Sequence, residues 1–420
     1  MSGRRMVGPS AWVFGAAGAF IGVVAAWLVS QGNPGNMGLC IACFLRDTVG
    51  FFGGTKANMG AVAYIRPEIV GLMLGAMAAS LATKEFRPRG GSSTPLRFVL
   101  GFIFMTSALI FLGCTVRAWL RLAGGDLNAV YGILGIIVGV TVGALFLKSG
   151  YNLGRSVKLP APVGWLGPVL AIVLLALALA SSSGSAPMGF TVTKAKAFAT
   201  GTTPPAVFLK GPDGKPATIL KPEGATLAED GSVVGADGAV VASAEAVAKA
   251  KPQPGGKRAP LYIALVAGLV LGVVAQRSRF CSIGGIRDVV LVRRFDLLFG
   301  VIGLLVGAFV ANLVLGQFNL GFENQPIAHT DALGNFAAMT VAGLAAVMLG
   351  GCPFRQVIMS GEGDADAFAA VLGMMGGALF AHWYGIASSP KGLSQYGWPA
   401  LAVMAVVLVA IALIKRERTA

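Results

Sequence analysis

At 420 residues the chain is long enough for two or three soluble domains. Its composition excludes that reading: 55% of residues are apolar and 12% charged, about half the charged share of an ordinary soluble protein. The formal charge of +15 comes with no basic block interleaved with aromatics, which excludes nucleic acid as a partner; loop cations that set membrane topology explain it.

The first apolar run, Ala11 to Gln31, resembles a secretory signal only superficially. It is too long, and further apolar runs follow it, so it reads as the first membrane span. Ten spans are expected in all, near 11–30, 67–83, 97–113, 128–147, 163–181, 260–276, 295–316, 333–350, 367–386 and 397–414. With the N-terminus in the cytoplasm, eighteen of the 33 Lys and Arg residues fall on the inner side and six in short outer segments. The remaining nine lie in the long segment 182–259, which the positive-inside rule weighs poorly. Both termini are therefore expected in the cytoplasm of a cell whose inner membrane holds the chain.

Segment 182–259 is then outside. Asp-Gly pairs at Asp213-Gly214, Asp230-Gly231 and Asp237-Gly238, with short β-formers between them, predict the hairpin turns of a small β-meander. The flanks "SSSGSAP" and "KPQPGG" read as linkers. The chain thus divides into a first membrane repeat (1–181), an extracytoplasmic insert (182–259) and a second membrane repeat (260–420).

The two membrane segments echo each other. "GLCIACFLRD" carries Cys40, Arg46 and Asp47; "RFCSIGGIRD" carries Cys281, Arg287 and Asp288 at the same offsets. Further on, "GCTVRAWLRLAGGD" has Cys114, Arg117 and Asp126, and "GCPFRQVIMSGEGD" has Cys352, Arg355 and Asp364 at matching positions. An odd number of spans per repeat makes the second copy enter the membrane from the opposite side. Inverted repeats of this kind build transporters with the site at the repeat interface. The expected fold is an all-α polytopic membrane protein of two inverted repeats, with re-entrant Cys-bearing half-helices and a small outer β-rich insert.

Each motif is too short and too polar to span, which fits a half-helix whose ends are covered by protein or water. A Cys at such a helix N-terminus sits where the dipole favours negative charge. Its thiol offers a weak donor and a soft surface, suited to sulfur or selenium more than to hard phosphate or sulfate oxygens. Cys40, Cys114, Cys281 and Cys352 occupy repeat-equivalent positions and are the candidate substrate residues, with Cys43 as an additional thiol. Arg46, Arg117, Arg121, Arg287 and Arg355 either attract an anion or pin the fold by pairing; Asp47, Asp126, Asp288 and Asp364 read as their structural partners. Cys40 and Cys43 have C-x-x-C spacing, which equally suits a redox dithiol and, without a second pair, is weak for zinc. His329, in an outer loop, is expected to be solvated, and His382, near a span end, to be packed or interfacial. No phosphate loop, dinucleotide fingerprint or Ser-His-Asp arrangement is present, so neither enzyme chemistry nor a cofactor or metal is expected.

"GNPGNMGLCIACFLRD", "FLGCTVRAWLRLAGGDLNA", "RSRFCSIGGIRD" and "LGGCPFRQ…GEGDAD" resemble the YeeE/YedE family of sulfur-transport membrane proteins, most closely its branch associated with selenium metabolism. The resemblance covers nearly all of the chain outside 182–259. It implies an hourglass-shaped inverted repeat whose half-helices present cysteines along a central path, and a thiol relay through S–H···S contacts. Carried over, the relay residues are Cys40, Cys114, Cys281 and Cys352, while Cys43 departs from the simpler pattern of the thiosulfate branch and leaves the cargo open. The expectation is import of a selenium compound or a reduced sulfur anion such as thiosulfate. Membrane lipid and a cytoplasmic protein that accepts the cargo are the expected partners. Two alternatives stand beside it: a membrane thiol-disulfide oxidoreductase using Cys40 and Cys43, and an accessory membrane subunit.

Overall fold

The computed structural model describes residues 11–52, 64–182 and 258–417, together with five short strands between 206 and 242. The first half contains α1 (Ala11–Ser30), α2 (Ile41–Phe51), α3 (Pro67–Ala82), α4 (Thr94–Phe111), α5 (Thr115–Ala123), α6 (Asn128–Lys148), the single turn α7 (Ala161–Gly164) and α8 (Leu166–Ser182). The second contains α9 (Leu261–Ser278), α10 (Ser282–Val292), α11 (Asp296–Val314), α12 (Ala332–Leu349), α13 (Pro353–Gly361), α14 (Ala365–Trp383) and α15 (Gly397–Ile414). Each of the ten expected spans is a helix. Eight helical stretches are long and apolar enough to cross a membrane, whereas Pro67–Ala82 and Leu166–Ala180 are shorter. Apart from the single turn α7, the short helices α2, α5, α10 and α13 belong to the four Cys-bearing segments.

Exchanging the two halves leaves the helix pairing unchanged. The helix α1 packs on α11, and its counterpart α9 packs on α3; likewise α6 lies on α12 and α14 on α4. The helices α4 and α12 also meet each other and form the centre, with nearly continuous burial along α12 from Val341 to Leu349. Trp12, Phe20 and Trp27 on α1 and Val403, Val406 and Leu413 on α15 face outward, as a lipid-facing rim requires.

In lipid no hydrophobic force drives helices together, so close backbone approach through small residues matters more. Each of the four crossings is made that way. A Cβ on Gly22 of α1 would stand 2.3 Å from the Leu304 carbonyl oxygen of α11, and one on Gly307 the same distance from the Ala19 carbonyl. Gly75 and Gly272 do the same for α3 and α9, Gly139 for α6 against α12, and Gly373 for α14 against α4. Polar backbone between the spans is tied together within the first half, where β1 (Arg89–Gly90) pairs antiparallel with β2 (Val157–Lys158), and across the halves, where Arg89 bridges to Asp364 and Asp126 to Gly321.

In the insert, β3 (Ala206–Lys210) pairs antiparallel with β4 (Pro216–Leu220), and β5 (Thr226–Leu227), β6 (Val233–Val234) and β7 (Val240–Ala242) form a three-stranded ladder. The Asp-Gly pairs expected to turn these strands, and both flanking linkers, lie outside the described residues.

Gly15 has only ordinary contact with the neighbouring helix at its Cβ position, 3.7 Å from the Phe299 carbonyl oxygen. Gly22→Ala should therefore lower stability by about 1–3 kcal/mol through overpacking against backbone, while Gly15→Ala, on the same helix, stays within about 0.5 kcal/mol. Thermal unfolding in detergent measures both; equal losses would contradict the crossing geometry.

Candidate functional site: a thiol-lined centre

Each short helix starts immediately after a cysteine in extended conformation. Cys40, Cys114, Cys281 and Cys352 are the N-cap residues of α2, α5, α10 and α13. The Cys40 Sγ accepts from the Cys43 backbone N–H at 3.4 Å, and the Cys281 Sγ accepts from Gly284 N–H at 3.3 Å. A helix start leaves four N–H groups without intrahelical partners, and oxygen side chains cap them better than a weak sulfur acceptor does. Helix stability alone would favour Ser, Thr, Asp or Asn at these positions.

The thiols meet in pairs within each half. Cys40 and Cys114 are near enough to influence each other, with Cys43 beside Cys40, whose Sγ meets the Cys43 backbone N–H. Cys281 and Cys352 form the second pair, in which the Cys352 N–H also points at the Cys281 Sγ, at 3.4 Å. The pairs are linked across the halves by hydroxyls: Thr115 Oγ1 and Ser282 Oγ are 3.0 Å apart, both fully or almost fully buried. Thr115 and Ser282 each follow a cysteine directly, at the first turn of α5 and α10. Four helix N-termini thus converge on one place. All five cysteines are buried and free.

Sequence reasoning did not single out Thr115 or Ser282, although each stood beside a chosen cysteine. The counterpart of Thr115 is Pro353 and that of Ser282 is Ile41, so the repeat comparison that found the cysteines passed over both.

Most of the charged residues of the motifs are engaged with one another. Asp47 accepts from Arg46 at 2.5 Å and from Arg66 at 2.7 Å, all nearly or fully buried. Arg66 donates further to Asn33 and Tyr64, and Asn33 in turn reaches Glu68 and the Ala259 N–H, which fixes the start of α9. In the second half Arg287 and Asp288 pair at 2.8 Å, with about a quarter of each side chain exposed. Arg121 pairs with Asp126 at 2.6 Å, and Asp364 holds Arg89 at 2.7 Å while capping α14.

Arg117 and its counterpart Arg355 differ. Both stems fold back toward the helix start, over Gly113 and Gly351, which explains the Gly-Cys-x-x-Arg spacing. Arg355 makes a two-pronged ion pair with the buried Glu362, at 3.0 and 3.2 Å, and Glu362 also meets Arg279. Arg117 is completely buried and pairs with no carboxylate among the described residues. It donates to the carbonyls of Asn36 at 2.6 Å, Ile327 at 3.1 Å and Leu112, and to Cys43 Sγ at 3.4 Å. The position equivalent to Glu362 is Gly124. Of the expected anion-attracting arginines, Arg46, Arg121, Arg287 and Arg355 are ion-paired, and only Arg117 is not.

His329 differs from the solvated loop residue expected. It is 1% exposed, and its Nε2 meets the Ile110 carbonyl at 2.9 Å, because the loop after α11 folds back over the end of α4. His382, in the last turn of α14, is half-buried and packed.

A bundle of apolar helices that turns four helix starts, five thiols and one unpaired guanidinium into its centre is a multi-span membrane protein with an anion-compatible interior. Residues 277–419, which include Cys281 and Cys352, match the family model described as Sulphur transport. A stretch of 112 residues is 30% identical to the thiosulfate transporter TsuA of Escherichia coli (strain K12), covering 26% of this chain and 31% of the relative. The match thus spans about a third of that relative's length. Both findings support the family resemblance read from the motifs, and neither separates its selenium branch from its thiosulfate branch.

Removing Asp47 strands two buried arginines, so Asp47→Asn should cost about 3–5 kcal/mol. Asp288→Asn, at a quarter-exposed pair, should cost less than about 1 kcal/mol; thermal unfolding of the two variants in detergent checks this contrast. Burial, the largest influence, holds the His329 imidazole below its ordinary value of 6.5. The unfolded chain then binds this proton first as pH falls, so stability is lost on acidification below about pH 6.5. His329→Gln should flatten that part of the stability profile against pH; an unchanged slope would assign it to other groups.

Proposed function

We propose that the protein imports a soft anionic chalcogen compound, a reduced sulfur anion such as thiosulfate or a selenium species, across the cytoplasmic membrane. The observation that carries this reading is the convergence of two thiol pairs on four helix N-termini, joined by Thr115 and Ser282. The helix starts favour negative charge without a metal or a covalent bond. The thiols donate weak hydrogen bonds to a polarizable terminal sulfur or selenium. Conduction needs sites that bind well enough to fill and weakly enough to empty, and paired weak donors satisfy both.

On this reading the termini are cytoplasmic and segment 182–259 is outside, so Arg117 stands at the outer mouth. The anion is drawn toward Arg117, meets Cys40, Cys43 and Cys114, crosses at Thr115 and Ser282, and reaches Cys281 and Cys352. Beyond them Arg355 carries its own carboxylate, Glu362, so the inner end holds an anion less strongly than the outer end and favours release to a cytoplasmic acceptor. The family match over 277–419 supports the sulfur class of the cargo.

The test is uptake into liposomes holding the purified protein, with labelled thiosulfate and selenite as cargo and sulfate as the hard-oxygen comparison. Cys114→Ala and Cys352→Ala should each lose uptake of the transported anion while the protein still inserts and folds, and sulfate should stay outside. Undiminished uptake in both variants would sink the relay. A disulfide between Cys40 and Cys43 that forms and opens with each turnover would favour the oxidoreductase instead.

A further inference from the structure

Among the described residues, eight other than glycine have positive φ. Three of them, Asn36 (φ 58°), Leu112 (φ 66°) and Ile327 (φ 50°), supply the three backbone carbonyls to which Arg117 donates. The left-handed region is unfavourable for a side-chain-bearing residue, most of all for a β-branched one such as Ile327, and it persists only where surrounding contacts impose it. Local turns place them there: Met37 N–H bonds the Pro34 carbonyl around Asn36, and Leu112 is the left-handed C-cap of α4. One guanidinium then collects all three carbonyls.

These carbonyls come from different parts of the chain. Asn36 lies in the loop between α1 and α2, Ile327 in the loop between α11 and α12, and Leu112 at the end of α4. The first two loops touch, since a Cβ on Gly35 would stand 2.8 Å from the Pro326 ring. Together they line a cavity of about 240 Å³ that Asn36, Asn312, Gln325 and Pro326 help to enclose. Gln325 is 6% exposed and its Oε1 has no partner. The loops therefore close over existing space.

The second half provides an internal control. Leu112 corresponds to Gly350, whose φ of 97° carries no side-chain penalty. Arg355 spends its donors on Glu362 and on no strained carbonyl. An arginine held by three backbone carbonyls occurs at one of the two equivalent positions, the one whose arginine lacks a carboxylate.

We propose that Arg117 is a latch: its guanidinium holds the Asn36 and Ile327 loops closed, and an anion that takes its donors releases them. The trigger rests on the function proposed above; the latch itself rests on the geometry alone. An oxyanion or thioanion offers a guanidinium charged, two-pronged hydrogen bonds stronger than those of neutral carbonyls. Once the donors turn to the anion, the three carbonyls lose the group that ties them together, and the loops part. Cys43, 3.4 Å from the Arg117 Nη1, then becomes accessible as the first thiol on the path.

The test is the rate at which a polar maleimide labels Cys43 in the full-length protein in nanodiscs, where both faces are open, with the labelled residue identified by peptide mapping. Arg117→Gln, with no anion added, should label about tenfold faster than the unmodified protein, the shift expected for losing roughly one net hydrogen bond's worth of loop tethering. Leu112→Gly and Ile327→Gly keep Arg117 and remove strain, so they should label more slowly and respond less to anion. Thiosulfate or selenite should speed labelling of the unmodified protein, and sulfate should not match them. If Arg117→Gln does not fold, Arg117→Lys reads the same latch, since an ammonium does not span the same three carbonyls. Unchanged labelling in the arginine variant, or faster labelling in the two glycine variants, overturns the latch. Faster labelling in the arginine variant with no response to thiosulfate or selenite upholds the latch and overturns the anion trigger, while the transport reading is decided separately by the liposome uptake.

Discussion

Everything in this fold depends on bringing the starts of four short helices together inside an apolar bundle. Unpaired backbone N–H groups are expensive at membrane depth, so irregular backbone survives there only where protein covers it or a cavity admits a polar partner. The bundle provides that cover by close helix crossings. Glycines on α1, α3, α6, α9, α11 and α14 let backbones approach until a methyl group would collide with a carbonyl. The tight outer pairs fix where α2, α5, α10 and α13 begin. The packing thus sets the geometry of the centre, and the centre in turn explains why the packing must be so tight.

The repeat supplies a symmetric scaffold, and the departures from it make its two ends chemically different. Cys40, Cys114, Cys281 and Cys352 are matched residue for residue, as are Arg117 with Arg355 and Asp126 with Asp364. Against that background Glu362 replaces Gly124, Gly350 replaces Leu112 and Gly284 replaces Cys43. The first two substitutions bear on the same arginine position. Arg117 is held by three backbone carbonyls, one of them from the second half, and Arg355 by a buried carboxylate. On the proposed reading, a perfectly symmetric path would bind an anion equally at both mouths. Unequal arginines break that equality without altering the thiols between them.

The spans and the cysteines were legible in the sequence because both are local signals. Uncharged runs of about twenty residues mark α1, α6 and α15, and fixed offsets within ten-residue motifs mark the four N-caps. What remained hidden depends on partners far along the chain. Arg117 and Arg355 look alike in their motifs, yet one meets carbonyls up to 210 residues away and the other a carboxylate seven residues on. The Thr115–Ser282 contact joins residues 167 apart, and nothing near either residue announces it. His329 was misread for the same reason: a polar residue between two spans suggests solvent, but the Ile110 carbonyl at the end of α4 was waiting to receive it. Motif offsets report which residues share a helix start, not which charges they meet across the bundle.

The choice of sulfur at the four N-caps sharpens the chemistry of the centre. Replacing a good oxygen cap typically costs a helix about 1 kcal/mol, and α2, α5, α10 and α13 are too short to be stable alone. Two weak sulfur caps, at Cys40 and Cys281, and two helix starts without a side-chain cap, at Cys114 and Cys352, are a sustained departure from what helix stability favours. Hydroxyls appear only once at the centre, where Thr115 and Ser282 bridge the halves. Oxygen caps would bond the free N–H groups firmly and leave little for a visiting anion. Thiols bond them loosely, so the helix starts keep attraction to spare, and each thiol retains a weak donor of its own. On the proposed reading, a site built this way grips a soft anion in several places and firmly in none, which is what lets the anion move on.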